Sequence, residues 1–103
     1  MAFIAYEVSL QLIRELRDPL VKLASVDAEE AKQLRSAANS IVRNLAEGNG
    51  RRGADRRRFF GYAAGSATEV RGTLDAAAAW GVELAAPLAT LDRLCALLWR
   101  LTH

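Results

Sequence analysis

The chain has 103 residues, 51% hydrophobic and 25% charged, with 14 Lys and Arg against 12 Asp and Glu for a formal net charge of +2. That length predicts one domain, residues 1–103, with a modest core and no linker. No run of about 18 apolar residues is present to span a bilayer, the N-terminal residues lack signal-peptide character, and the lone Cys95 cannot form an intrachain disulfide, so a cytoplasmic protein off the membrane is expected.

Apolar residues recur at three- and four-residue spacings with no sustained alternation, which predicts four helices. The first runs from about Phe3 to Leu23 through Ile4, Val8, Leu12, Leu16 and Leu20. Pro19, which lacks a backbone donor, is expected to kink or interrupt it. Helix 2 starts near Asp27, an N-cap residue followed by Glu29 and Glu30 in the first turn, where their charge complements the helix dipole. Its seam is Leu34, Ala37 or Ala38, Ile41 and Leu45, and it stops around Gly48 in the glycine-rich turn Gly48-Asn49-Gly50-Arg51-Arg52-Gly53.

Helix 3 is predicted from Ala54 or Asp55 to Trp80-Gly81, with Phe60, Ala63, Ala67, Val70, Leu74 and Ala77 at steps of three and four. Its many Ala and Gly residues favour close helix–helix approach. Helix 4 opens near Ala85-Ala86-Pro87, with Leu84, Leu88, Leu91, Cys95, Leu98 and Leu101 as its seam. Leu94, Leu97 and Trp99 fall outside that seam and are predicted as an oligomer interface, with Leu20, Val21 and Trp80 as companions, since an apolar patch left in water invites aggregation.

Helices 2 and 3 should form an antiparallel hairpin about Arg51 or Arg52, placing Ser40 near Ala63 to Ser66. Ser40, Asn44 and Glu47 share one helical stripe, and Ser66 and Glu69 are three residues apart on the facing helix. These five residues are predicted as a structural polar network that fixes register, with Glu47 buried beside cations such as Arg43 and Arg58. Catalysis is not expected: His103 is the sole histidine, and no Cys, His or Asp spacing suits a metal. No cofactor is predicted. The glycine-rich turn follows no strand and lacks the Gly-Lys-Ser/Thr ending of a nucleotide loop.

Charge is concentrated around that turn. Arg43, Arg51, Arg52, Arg56, Arg57 and Arg58 stand against Glu47 and Asp55, a local net of +4 (six minus two), which leaves −2 for the remainder. The planar guanidinium fork suits phosphate, so the six arginines are the predicted nucleic-acid contacts, with Phe59, Phe60 and Tyr62 interleaved as candidate stacking partners.

The run Gln33-Leu34-Arg35-Ser36-Ala37-Ala38-Asn39-Ser40-Ile41-Val42-Arg43-Asn44-Leu45-Ala46-Glu47-Gly48, continued by Asp55-Arg56-Arg57-Arg58-Phe59-Phe60 and Ala63-Ala64-Gly65-Ser66-Ala67-Thr68-Glu69-Val70, resembles the signature of the four-helix-bundle family typified by the 23S rRNA intervening-sequence protein. The resemblance spans roughly residues 8 to 82. It implies an all-α, antiparallel up-down four-helix bundle that forms homo-oligomers, commonly pentamers. It also implies a kinship with accessory proteins of reverse transcriptases in diversity-generating retroelements, where a basic surface is associated with nucleic acid. Gly53 stands where relatives often carry a capping serine, which shifts the expected cap of helix 3 to Asp55, and the segment between helices 1 and 2 is shorter than in many relatives. The resulting expectation is a non-enzymatic oligomer that binds RNA or DNA through phosphates. The alternative is a protein-interaction adaptor docking on a nucleic-acid enzyme such as a reverse transcriptase.

Overall fold

The computed structural model describes residues 2–103 and, within them, is all-α with four helices and no strand. Helix α1 spans Ala2–Val26. Pro19 lies inside it without interrupting it, and the helix runs one turn past the predicted end at Leu23. A proline there forfeits one backbone bond. Burial of Leu16 and Leu23 on either side, at 0% and 2% exposure, holds the turn helical regardless.

Helix α2, Ala28–Asn49, begins at Asp27, whose carboxylate accepts a hydrogen bond from the Glu30 N–H at 3.0 Å. Its buried face is Ala31, Leu34, Ala37, Ala38, Ile41, Leu45 and Gly48. Helix α3, Gly53–Ala79, starts one or two residues earlier than the sequence predicts, with Gly53 at φ +59°. The expected cap at Asp55 is corrected: Arg52 occupies the cap position and supplies no side-chain bond, while Asp55 sits in the first turn and accepts from Arg51 and Arg58. Helix α3 ends in a Schellman turn, the Val82 N–H donating to the Ala77 carbonyl at 2.9 Å and the Gly81 N–H to Ala78 at 3.0 Å, with Gly81 at φ +85°.

Helix α4, Leu88–Thr102, follows Pro87, which lies just outside it. Its buried residues are Leu91, Leu94 and Leu98. The leucines of α4 occupy about half of the helix, with Leu91, Leu94 and Leu98 at the middle of that arc; the structure seats Leu94 in the core at 0% exposure, leaves Cys95 half-buried and exposes Leu88.

Successive helices pack on one another and α4 closes against α1, so that one core cluster runs through all four. The body measures 42 × 22 × 20 Å. The α2–α3 pair makes the most extensive contact, as its small residues permit. Among the described residues no helix is long and apolar enough to cross a membrane.

Candidate nucleic-acid interface

One guanidinium bridges the end of the α2–α3 pair. Arg51 donates to Glu47 at 2.6 Å, four residues back on α2, and to Asp55 at 2.8 Å, four residues on in α3, so it clamps the turn from both sides. Asp55 also accepts from Arg58 at 2.5 Å. The Arg51 and Arg58 guanidiniums lie 4.9 and 5.0 Å from the centre of the Phe59 ring, and Phe59 meets Tyr62 edge-on at 5.7 Å. Hydrogen bonds from Arg51 and then Arg58 hold the Asp55 carboxyl below its ordinary range, and those carboxylate partners raise both arginines, Arg51 through Glu47 first.

The other four arginines are placed differently. Among the described residues Arg43, Arg52, Arg56 and Arg57 form no ion pair. Arg56 lies over the Phe60 ring at 5.4 Å and reaches the Asn49 side-chain oxygen at 3.5 Å; Arg43, Arg52 and Arg57 are exposed. The net of +4 around the turn therefore resides on unpaired side chains, since the two carboxylates are taken by Arg51 and Arg58. Arg52, Arg56 and Arg57 flank the start of α3, which carries no side-chain cap.

Deeper in the same helix pair, Ser66 donates to the Ser40 hydroxyl at 2.8 Å, and the Asn44 amide donates to both the Ser40 hydroxyl at 3.1 Å and its carbonyl at 2.9 Å. These three residues form the polar link between α2 and α3. Glu47 and Glu69 do not join it, contrary to the sequence reading. Gly48 takes the buried position against Phe60, and Glu47 beside it is left half-exposed in its surface pair with Arg51. Val70 takes the core position beside Glu69, which is exposed. Phe60 is core at 2% exposure, so Phe59 and Tyr62 remain as the accessible rings.

The predicted oligomer residues separate likewise. Leu94 is fully buried in its own bundle and cannot meet a second chain, a correction to the sequence reading; Leu97 is partly buried against the core; Trp99 is 61% exposed and stacks on His103 at 4.6 Å. Sequence reasoning took Gly48 only as a helix stop, although it continues the buried 3–4 spacing of Leu34, Ala38, Ile41 and Leu45. A glycine on a core stripe is a signal for close approach.

A sequence model of the 23S rRNA-intervening sequence protein family matches residues 3–100. The chain belongs to that family. Comparisons with curated proteins and with solved structures found no match.

Proposed function

We propose that this chain is a non-enzymatic, cytoplasmic, self-associating bundle with neighbouring helices antiparallel in up-down order, and that its α2–α3 end binds RNA or DNA through phosphate contacts. The observation carrying the reading is that Arg52, Arg56 and Arg57 flank an uncapped helix start without carboxylate partners, with Arg43 likewise unpaired on α2. Backbone N–H groups at a helix N-terminus and flanking guanidiniums both favour an anion. No base-reading arrangement accompanies them, so the contacts position phosphates without selecting sequence. Arg51 and Arg58, spent on Glu47 and Asp55, shape the turn and cover the Phe59 ring, which leaves Tyr62 as the exposed aromatic side chain beside it.

Antiparallel order is supported by cross-helix pairs: Ser40 with Ser66 and Gly48 with Phe60 between α2 and α3, and, between α1 and α2, Ile13 at the level of Ala38 and Ala24 at that of Ala28. Self-association is supported by Trp99 together with Trp80, which is 87% exposed. The same tryptophans favour a second reading, an adaptor docking on a nucleic-acid enzyme such as a reverse transcriptase. Retention of labelled RNA and DNA on a filter at low salt tests the first reading. Absence of retention would leave the arginines as a solvated corner.

A further inference from the structure

We propose that the groove between α1 and α2 is a docking site for an acidic amphipathic helix of a partner protein. Two adjoining cavities, each of about 370 Å³, share Leu20, Val21 and Arg35 and together follow α1 from Ile13 to Ala24. From the first to the last of those twelve residues the helix rises about 17 Å, or three turns. The floor is Ile13, Leu16 and Leu20, and Val21 stands on the rim at 73% exposure. The wall on the α2 side is low, because it is made of Ala28, Ala31 and Ala38.

Every charged residue lining the groove is a cation: Arg17, Lys32 and Arg35. None of them is in an ion pair among the described residues, and Asp18, next to Arg17 in sequence, does not line the groove. An apolar trough bordered by unpaired cations is complementary to a helix whose leucine-type stripe is flanked by carboxylates. Nucleic acid would engage the cations and gain little from the apolar floor. This site is separate from the α2–α3 turn and does not depend on it.

The probe is a fluorescent synthetic helix of about three to four turns with leucines at i, i+4 and i+7 and glutamates flanking them, followed by anisotropy with the full chain. Its counterpart carries lysines in place of the glutamates. The acidic helix is expected to bind and the lysine version to bind far more weakly. Arg17→Glu with Arg35→Glu is expected to weaken binding about tenfold or more, and Val21→Ser alone severalfold. All three residues are exposed, so the variants retain the fold, which their helical circular dichroism checks. Gln at Arg52, Arg56 and Arg57 should leave peptide affinity unchanged, which separates this site from the phosphate-binding turn. Equal binding of both peptides, no binding, or indifference to the Arg17 and Arg35 reversals overturns the proposal. Two further outcomes also overturn it: duplex RNA binding lost on those reversals would make the groove a nucleic-acid surface, and a fall in particle mass would assign it to a second copy of this chain.

Discussion

The Phe60 ring lies so close over Gly48 that a methyl group placed on the glycine would sit 2.6 Å from Phe60 Cε1 and 3.2 Å from the Arg56 carbonyl oxygen. Phe60 is buried at 2% exposure and cannot swing away, so the glycine is what lets α2 and α3 meet just before the basic turn. Gly48→Ala gains helix propensity of up to about 1 kcal/mol but overpacks the contact at about 1–3 kcal/mol. The net expectation is a loss of stability in denaturant unfolding, smaller in a Phe60→Leu background where the ring is gone. An unchanged or raised midpoint for Gly48→Ala alone would contradict the contact.

Ser40 is the shared acceptor of the α2–α3 polar link. Ser40→Ala should cost about 0.5–1.5 kcal/mol, with Asn44→Ala and Ser66→Ala in the same range. Because the three residues form one connected group, the Ser40 and Ser66 effects should be less than additive in a double-mutant cycle. Strict additivity would show that the link is not formed.

Glu47 behaves as a surface group, despite the stripe it shares with Ser40 and Asn44. Glu47→Ala should leave the thermal melt nearly unchanged, since exposed ion pairs contribute little. A loss comparable to that of Ser40→Ala would place the carboxylate back among the structural residues.

Acid should loosen the turn through Asp55. Its folded pKa is depressed by Arg51 and Arg58, so the stability it contributes is fully present above the ordinary aspartate pKa and is lost as pH falls through the lower folded value. Observed by NMR, the Asp55 carboxyl should titrate below the ordinary aspartate range and move back towards it in Arg51→Gln. An ordinary titration midpoint in the unmodified chain would rule out the clamp.

Self-association should appear in light scattering coupled to size exclusion as a mass several times the 11.2 kDa of one chain. Trp99→Ser should lower it, whereas Leu94→Ala should act by opening a cavity in the core. A one-chain mass at micromolar concentration for the unmodified protein would exclude the oligomer.

Much of the fold was legible because α2 and α3 carry one clear apolar stripe each: Leu34, Ile41 and Leu45, and every core residue named for α3, are buried. Helix α4 was legible in part: Leu91 and Leu98 of its predicted seam are buried, but the step from Leu91 to Cys95 passed over Leu94, which the helical period places on the same face. Ser40, Asn44 and Ser66 were readable as one group, but Glu47 was not, since it borders the seam and the buried position at that level is Gly48. The six arginines were visible as a cluster. Their division into clamp and free cations required the geometry around Asp55, and the cations of the α1–α2 groove, separated along the chain, left no local signature.

The central claim, phosphate binding by the unpaired arginines of the turn, is tested most directly by the salt dependence of RNA and duplex DNA binding before and after replacing Arg52, Arg56 and Arg57 together by Gln. The unmodified protein should bind with modest affinity and little sequence preference. The triple variant should flatten the plot of log affinity against log salt by up to about three phosphate contacts, near 0.9 each for duplex DNA. An identical slope in both proteins, or no binding by the unmodified chain at low salt, would contradict the account.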